Sequence, residues 1–409
     1  MNIENILKNQ MCCGCGTCAG ICPTDAIKMQ INKRGFYIPK INEARCTHCK
    51  LCDKVCSQIN KTNNFNELNK FVFGKISDDK LIGNYINCYV GCSIDENLRF
   101  ESSSGGMITQ ILISALEKGI INGALVTRMK KDNPLIPEPF IARTRDEIIS
   151  AMGSKYCPVP VNIALNEILN SKEGEKFVVV GLPCHILGVR KAELLIPKLK
   201  KKIVLHLGIL CSGIKSFFGT EFILERRGIK KENVKNIKYR GNGWPGYMQV
   251  EHPNGTMYLS DTALLYYGGA FGTLFTNKCC ISCNDFTAEL SDISFGDAWN
   301  IEKKDTKGTS LLISRSKIGE ELIKKLSFDN KIKLENIERD IVVRSQSLIY
   351  SKKKLLRSNI NHMIRDKLLS TITWFSTHPN SLIRKYFSLN LYLLILIKSK
   401  ITKLLHKKK

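Results

Sequence analysis

The sequence predicts a small α+β module, then an α/β body with a mainly parallel sheet, then a helical basic C-terminal tail. Three observations lead to this prediction: a cysteine motif repeated near the N-terminus, an alternation of strand-like and helix-like segments after it, and a late concentration of lysine and arginine. The expected boundaries are 1–62 for the module, 63–82 for a polar linker, 83–165 and 166–345 for the two parts of the body, and 346–409 for the tail.

The cysteine motif occurs twice near the N-terminus. It reads Cys-x-x-Cys-x-x-Cys-x-x-x-Cys at residues 12–22 and recurs at residues 46–56, at a constant offset of 34 residues. Bacterial ferredoxins with two [4Fe–4S] clusters have this spacing, and the last cysteine of each run ligates the other cluster. The segment between the runs reads as a β-hairpin with Gly35 near its turn. We therefore predict a ferredoxin-like module with two cluster-binding sets: Cys12, Cys15, Cys18 and Cys56, and Cys46, Cys49, Cys52 and Cys22.

Zinc is the alternative metal for these cysteines. Structural zinc sites take four ligands, usually as two separated pairs, whereas each run here has three closely spaced cysteines and a fourth further on. The spacing therefore favours iron–sulfur clusters, which implies one-electron transfer at low potential and an anaerobic host. Cys13 fits neither copy of the repeat and reads as a spectator thiol.

Charge and cysteine content predict the cellular compartment of the protein and bear on its partners. The N-terminal segment has neither the basic start nor the apolar core of a signal peptide, so 17 cysteines indicate a cytoplasmic protein with reduced, metal-binding thiols. The net charge is +25, but residues 351–409 alone have 14 Lys and Arg against the single acid Asp366. Since the excess is concentrated in the tail, no nucleic-acid partner is predicted.

The basic tail has three open interpretations. Its apolar stretch is about half the length of a membrane span. An in-plane amphipathic helix would give peripheral contact with the inner face of the membrane. A helix packed on the protein's own surface and a docking site for an acidic electron carrier are the alternatives.

Two features of the body have the composition of ligand-binding loops. Residues 102–106, Ser-Ser-Ser-Gly-Gly, precede an amphipathic helical pattern, and free N–H groups at a helix start favour a phosphate or the pyrophosphate of a flavin. An ordinary N-cap is the alternative. In the segment "YRGNGWPGYM", glycines around Trp244 allow close approach to a planar ligand, and Asp297 lies in the later segment "SFGDAW". Structural turns would explain both segments equally well.

Four further cysteines could bind a third cluster. Cys184 and Cys211 each follow an apolar strand, where parallel sheets bind ligands, and Cys280 and Cys283 form a Cys-x-x-Cys pair. A set of ordinary buried or exposed cysteines is the alternative.

The body resembles a known family through motifs that occur in a fixed order. It is similar to the beta subunit family of coenzyme F420-reducing hydrogenase and dehydrogenase, in the form with a fused N-terminal two-cluster ferredoxin. The motifs are "CYVGCSIDENLRFESSSGGMIT", "MGSKYCPV", "VVVGLPCHILGVRK", "LHLGILCSGIKS", "RGNGWPG" and "CISCNDFTAELSDISFGDAW".

The resemblance implies a flavoprotein with FAD in the body and a third [4Fe–4S] cluster beside it. The residues that match the family's flavin motifs are Ser103, Ser104, Gly105, Gly106, Thr109, Lys155 and Tyr156. The cysteines that match its cluster motif are Cys184, Cys211, Cys280 and Cys283. Three residues depart from the family pattern: His185, Cys157 and Cys279. The fused form also implies a place in sugar or polysaccharide metabolism.

These observations predict an iron–sulfur flavoprotein oxidoreductase. It would pass electrons between an external carrier such as a ferredoxin and a small organic substrate or a deazaflavin-type cofactor such as coenzyme F420. The candidate proton donors are His185, His206 and Asp297, and Trp244 is a candidate flavin contact. One alternative is an electron-transfer subunit that has no substrate of its own and serves a partner enzyme. Another is a redox sensor or scaffold with structural clusters.

Overall fold

The computed structural model describes residues 2–59, 61–259, 275–301 and 306–346, with the backbone alone at 61–64. The predicted tail, residues 346–409, lies outside the described residues except for its first position.

The N-terminal module is a compact α+β unit. The predicted hairpin is confirmed, since its two strands pair antiparallel from Ile27–Ile41 to Ile31–Tyr37, and Gly35 has a φ of 71° just before the second strand. The module's elements are α1 (Ile3–Lys8), α2 (Thr17–Gly20), β1 (Ile27–Ile31), β2 (Tyr37–Ile41), a 3₁₀ helix (Glu43–Arg45) and α3 (Leu51–Val55).

The segment expected to be a linker contains a helix. Helix α4 spans Lys61–Phe73, and its Leu68 is fully buried, while Phe65 and Phe71 pack against the same core. The spacing of these three residues is helical, but the abundant asparagines obscure it in the sequence. The segment 63–82 is therefore helical as far as Phe73, and its role as a linker stays a prediction.

An eight-stranded sheet forms the body. Its order is β13-β3-β12-β11-β7-β6-β4-β5. Its strands are β3 (Asn87–Ser93), β4 (Gly123–Met129), β5 (Pro137–Ala142), β6 (Phe177–Gly181), β7 (Ile203–Ile209), β11 (Ile293–Asp297), β12 (Ser310–Ser314) and β13 (Ile332–Ile337).

The sheet is mixed, which corrects the prediction of a mainly parallel one. Only the central pairs β11–β7, β7–β6 and β6–β4 are parallel. Strand β5 folds back on β4 as a hairpin, and β12 and β13 pair antiparallel to their neighbours. Strands β5 and β12 each pair with the strand before them in the chain, and β13 pairs with β3 although a helix at Lys317–Phe328 separates it from β12. Strand–helix alternation therefore does not show the direction of these strands. Nevertheless β3, β4, β6, β7 and β11 all run in one direction, so their carboxyl ends share one edge.

Helices cover both faces of the sheet. Val178 of β6 packs on one side with the helices α6 (Met107–Glu117) and α13 (Lys317–Phe328), while Phe177 and Val179 pack on the other with α8 (Leu165–Asn170) and α9 (Pro183–Leu195). The helices are α5 (Glu96–Glu101), α6 (Met107–Glu117), α7 (Arg145–Ser150), a 3₁₀ helix (Val161–Ala164), α8 (Leu165–Asn170), α9 (Pro183–Leu195), α10 (Pro197–Lys202), α11 (Phe217–Arg226), a 3₁₀ helix (Lys231–Asn233), α12 (Lys278–Ile281), α13 (Lys317–Phe328) and α14 (Arg339–Ser345).

A second, smaller sheet lies between β7 and β11 in the chain. It consists of β8 (Asn236–Lys238), β9 (Met248–His252) and β10 (Gly255–Leu259), all antiparallel. Its core, with Tyr239 and Met248 at the centre, also includes Phe217 of α11. Within the described residues, no helix is long and apolar enough to cross a membrane.

Candidate functional site

The carboxyl edge of the large sheet brings the chemical motifs of the body together. Cys184, Cys211 and Asp297 lie at or just after the ends of the three adjacent parallel strands β6, β7 and β11. Ser310, which begins β12, pairs with Asp297 and with Gly91 near the end of β3. Since ligands of α/β proteins bind at this edge, it is the candidate functional site.

Body residues fix the ferredoxin module in place. Asn162 donates from its backbone to the Cys15 carbonyl (2.9 Å), and its side-chain amide donates to Thr17 Oγ1 (2.8 Å). On the other side of the first cysteine run, the Asn277 amide donates to the Cys12 carbonyl (3.0 Å). A methyl group added at Gly188 would strike Thr17, so α9 and α2 approach closely.

Members of the first predicted cysteine set lie near one another. Burial, then the charge of Cys13, and to a smaller extent the charges of nearby Cys18 and Cys56 raise the pKa of Cys12. Hydrogen bonding to Cys13 and burial raise the pKa of Cys15. Cys56, the predicted fourth member, therefore lies near Cys12 and Cys18 of the first run, and its role as their fellow ligand stays a prediction.

The second cysteine set is nearer the surface. Cys49 is exposed and Cys46, Cys52 and Cys22 are half-buried, in contrast to the buried Cys15 and Cys18. Burial, with a smaller contribution from the Asp53 charge, raises the pKa of Cys52 to about 11. Cys22 and Cys52 pack against one small core.

The body cysteines gather beside the first set. Cys280 Sγ accepts a hydrogen bond from the Ile214 backbone (3.3 Å) and lies 3.8 Å from Cys279 Sγ. Cys184 packs in the same cluster, and hydrogen bonding with Cys13, burial and, as the smallest contribution, the charge of nearby Cys211 raise its pKa. The Cys283 thiol donates to the Asp285 carbonyl (3.3 Å).

This donor chemistry fits iron–sulfur clusters. Burial is the main cause that raises the pKa of Cys12 and Cys18, so several thiolates here would need cations to balance their charge. Sulfur is the donor atom of all eight module cysteines, which suits clusters bound by four thiolates each. The body set Cys184, Cys211, Cys280 and Cys283 offers the same donor type.

Cys13 lies between the module and body cysteines. Its sulfur is 3.2 Å from Ser57 Oγ, and hydrogen bonds with Cys15, Cys184 and Cys279 lower its pKa. The sequence predicts a spectator thiol here because it shows only that Cys13 is outside the repeat. The contacts depend on how the module docks on the body, which spacing does not reveal.

The Ser-Gly loop is anchored to the edge of the sheet. Ser104 Oγ donates to the Thr309 carbonyl (2.9 Å), and the Gly105 N–H donates to Ser310 Oγ (3.0 Å). Gly106 has a φ of 72° and immediately precedes α6, whose first turn contains Thr109. Since the first N–H groups of a helix have no intrahelical acceptor, this turn can receive a phosphate. The Ser102 hydroxyl is buried and has no hydrogen-bond partner among the described residues, which fits a polar ligand at the loop.

The Gly-Ser-Lys-Tyr element joins this loop. The Ser154 backbone donates to Ser103 Oγ (2.8 Å). Lys155 is buried with its Nζ 2.5–3.1 Å from three carbonyls at the end of α7, and burial lowers its pKa to about 7. Burial raises the pKa of Tyr156, whose ring meets Tyr239 edge-on at 5.9 Å.

Arg240 connects residues of the remaining motifs, since it contacts both Asp297 and Tyr156. Its guanidinium makes two hydrogen bonds to Asp297 (2.7 and 3.2 Å) and a longer one to the Tyr156 hydroxyl (3.3 Å). Trp244 Nε1 also donates to Asp297 (3.2 Å), and the Trp244 ring lies 4.7 Å from the Trp299 ring. Sequence reasoning selected Trp244 and Asp297 but missed Arg240, which stands four residues before Trp244. A bidentate pair with Arg240 leaves Asp297 positioned as an anchor more than as a proton donor.

The two candidate histidines lie in different environments. His206 Nε2 contacts Glu193 Oε1 (2.7 Å) and its Nδ1 contacts Asp292 Oδ2 (3.1 Å), while Arg190 bridges both carboxylates. With both ring nitrogens engaged in a buried network, a structural role is favoured for His206. His185 Nδ1 accepts from the Leu182 backbone (3.1 Å), and burial lowers its pKa to about 4.

Comparisons with known proteins agree with this architecture. A family model for a 4Fe-4S dicluster domain matches residues 11–58. Two models for the beta subunit of coenzyme F420 hydrogenase/dehydrogenase match the body, the one for its N-terminal part at residues 88–166 and the one for its C-terminal part at residues 174–340. The fold and thiol sets thus define an iron–sulfur protein of an oxidoreductase family. The chain belongs to the coenzyme F420 hydrogenase/dehydrogenase beta subunit family, with a 4Fe-4S domain at its N-terminal end.

Relatives extend over most of the chain. The coenzyme F420 hydrogenase subunit beta of Methanothermobacter thermautotrophicus is 29% identical over 65% of this chain and 97% of that protein. The coenzyme F420-dependent sulfite reductase of Methanocaldococcus jannaschii is 24% identical over 88% of this chain and 52% of that protein. A chain of the F420-reducing [NiFe] hydrogenase complex from Methanosarcina barkeri superposes with a TM-score of 0.54 and 26% identity, covering 70% of this chain and 94% of that one.

Proposed function

We propose that the protein is an electron-transfer subunit that connects an external one-electron partner to a flavin site and serves a partner enzyme. The observation that carries this proposal is the packing of module thiols and body thiols in one cluster, with Cys13 and Cys15 beside Cys184, Cys279 and Cys280. When bound, [4Fe–4S] clusters supply one-electron transfer, and FAD couples such transfers to two-electron chemistry.

The burial of the cysteines indicates the order in which electrons would pass through the proposed sites. Cys49 is exposed, Cys15 and Cys18 are buried, and the body thiols Cys184 and Cys280 pack beside Cys15. The second cysteine set would therefore meet the partner, and the body set would adjoin the flavin. Exposed basic residues around the second set, Arg45 and Lys50, favour an acidic partner such as a ferredoxin or an acidic subunit surface.

The chain's own residues would hold FAD by two kinds of contact. The first turn of α6, with Ser102–Gly106, would bind the pyrophosphate through N–H and hydroxyl groups. Arg240 and Trp244 both donate hydrogen bonds to Asp297 at the neighbouring strand end. The flavin ring of FAD would therefore lie against polar side chains whose orientation is already fixed.

Anaerobic purification followed by iron, sulfide and flavin analysis tests the proposal. We expect about twelve iron atoms, four for each of three clusters, and one FAD per chain. About eight iron atoms per chain would show that the body binds no cluster. Absence of flavin would contradict the proposed flavin site.

Coenzyme F420 as a direct substrate is the second candidate. It is favoured by the names of the relatives and by the oriented Arg240–Asp297 pair at the sheet edge. Loss of the visible absorbance of F420 on mixing with reduced holoprotein would support it, whereas reduction of one-electron dyes alone would favour the subunit role. The association with sugar metabolism stays a prediction, which these relatives do not support.

A further inference from the structure

A small apolar pocket opens where the N-terminal module meets the body. It is lined by residues of α3, α4 and the end of α9, and its volume is about 240 Å³. Its apolar lining consists of Ile59, Leu68, Leu194 and Leu195. A cavity of about 150 Å³ accommodates a benzene ring, whereas most small-molecule sites have roughly 300–1,000 Å³. The pocket therefore has room for one large apolar side chain.

Two charged residues that line the pocket already have partners within the protein. Lys191 is 3% exposed, and its Nζ donates to the carbonyls of Cys56 and Ile59 (2.7 and 2.8 Å). Asp53 Oδ1 accepts a hydrogen bond from the Ile3 backbone (2.7 Å). Since a polar group is costly to bury without a partner, these internal contacts suit the pocket to an apolar occupant rather than a charged one.

The rim of the pocket combines exposed leucines with positive charge. Leu194 is 48% exposed and Leu195 is 40% exposed. Lys200 of α10 lies over the Phe71 ring of α4 at 4.3 Å, so α10 adjoins the same surface. On α3, α10 and residues 65–73 of α4, the exposed charged side chains are Lys54, Lys70, Lys198, Lys200 and Lys201, against the single acid Glu67. An exposed apolar patch with a polar rim is typical of a protein interaction site, and the excess of lysine favours an acidic partner.

The pocket adjoins the second cysteine set. Asp53 and Lys54 line the pocket and directly follow Cys52 in α3. Cys49, of the same set, is exposed two residues before α3 begins. A protein bound at the pocket would therefore lie beside the cysteines at which the proposed function places the external partner.

We propose that this surface, which we name the leucine pocket, docks a small acidic electron carrier of the ferredoxin type. The leucine pocket comprises Ile59, Leu68, Leu194 and Leu195 with the surrounding lysines. One apolar side chain of the carrier fills the cavity and covers the two exposed leucines, while the lysines face its acidic residues. Apolar contact at the centre supplies affinity, and charge at the rim speeds the encounter. The inference rests on the proposed function, which places electron entry at the second cysteine set.

Binding of a purified acidic ferredoxin with two [4Fe–4S] clusters tests the proposal. The ferredoxin is labelled with a fluorophore, and anaerobic fluorescence anisotropy gives its Kd for the holoprotein at low and at high salt. The leucine variant is Leu194→Ser/Leu195→Ser, and the lysine variant is Lys198→Glu/Lys201→Glu. All four positions are exposed, so neither variant disturbs the core.

Control variants on the opposite face of the sheet separate docking from general surface effects. Ile318→Ser/Phe328→Ser and Lys317→Glu/Lys325→Glu make the same kinds of change at exposed positions of α13, which packs against that other face. Iron and flavin contents are measured for every variant. These contents test the proposed function by themselves, so its failure is distinguishable from failure of the leucine pocket.

We expect the wild-type holoprotein to bind the ferredoxin with an affinity that falls as salt is added. The leucine variant should bind about tenfold or more weakly at both salt concentrations, because it loses two apolar contacts. The lysine variant should lose about the same factor at low salt and little at high salt. The α13 controls should bind as the wild type does, and all variants should keep its iron and flavin contents.

Several results would overturn the proposal. They include wild-type affinity in the leucine variant, equal losses of affinity in the α13 controls, and absence of ferredoxin binding to the wild-type protein. Sedimentation without ferredoxin checks a second copy of the chain as the occupant: a wild-type dimer that dissociates in the leucine variant would assign the surface to that copy. Binding to vesicles of anionic phospholipid that the leucine variant loses would assign the surface to a membrane. Either assignment would contradict docking of an electron carrier.

Discussion

Lys191 of helix α9 donates a hydrogen bond to the backbone carbonyl of Cys56 (2.7 Å) and another to that of Ile59 (2.8 Å). A buried lysine of the body thus holds the end of the second cysteine run, where the fourth member of the first cluster set is located. The interface between module and body therefore includes a predicted cluster ligand.

Replacing Lys191 should destabilise the contact between the module and the body. We expect Lys191→Met to lower the free energy of unfolding by about 3 kcal/mol, because two buried carbonyls lose their donor. Thermal unfolding of the anaerobic holoprotein measures the effect, and cluster loss should precede unfolding of the body. Lys198→Met, on the exposed surface of α10, is the control and should behave as wild type. Equal unfolding temperatures for the two variants would show that the contact does not stabilise the module.

The buried network around His206 predicts a pH dependence of stability. Glu193 and Asp292 raise the pKa of His206 against the opposing effect of burial, so its contribution is complete below about pH 6.5 and is lost as the pH rises through the higher folded-state pKa. The pKa of Glu193 is lowered by the charges of His206 and Arg190, which outweigh burial. Its contribution is present above about pH 4.3 and is lost as the pH falls.

Glu193→Gln tests this network. The variant should be destabilised by about 3 kcal/mol near pH 6, and the difference from wild type should narrow toward about pH 8.5. Thermal unfolding at the two pH values measures both effects, and Glu167→Gln, at an exposed position of α8, provides the control. A difference that is constant with pH would mean that His206 is not charged in the folded protein.

Arg240 should be needed for flavin retention. Arg240→Met leaves the carboxylate of Asp297 without its bidentate partner and releases the orientation of Trp244. We expect flavin affinity to fall about tenfold or more, which corresponds to about 1.4 kcal/mol, while iron content stays the same. Flavin fluorescence after dilution measures the loss, with the exposed Arg226→Met as control. If Arg240→Met bound flavin with wild-type affinity, Arg240 would not contribute to the flavin site.

The crossed ligand sets make a distinct prediction for single cysteines. Cys18→Ser and Cys56→Ser should each lose the same cluster, about four iron atoms, although the two residues belong to different runs. Iron analysis and the paramagnetic spectrum after dithionite reduction check this. Cys88→Ser should retain all of its iron. If Cys56→Ser instead matched Cys46→Ser, the ligands would not be crossed.

Local spacing explains what the sequence predicted well. The cysteine repeat and the hairpin with Gly35 depend on residues close together in the chain, so periodicity and motif spacing indicate them directly. The placement of Cys184 and Cys211 at strand ends also followed from a local pattern, an apolar strand followed by a cysteine.

Distant contacts explain what the sequence did not predict. The contacts of Cys13 join the N-terminal module to a strand end of the body, and Arg240 meets Asp297 across a loop and a small sheet. A lone histidine on an apolar strand does not show that Glu193 and Asp292 enclose it. The antiparallel strands β12 and β13 were missed because an apolar run does not indicate the direction of its neighbour.

The close fit of Gly188 against Thr17, with the Asn162 and Asn277 contacts, has a consequence for how the protein behaves in solution. Two redox units that meet by diffusion exchange electrons more slowly as they are diluted. Here the units share one polypeptide and a packed boundary, so the effective concentration of one at the other is set by the fold. Exchange across this boundary should therefore proceed at the same rate in a dilute sample as in a concentrated one.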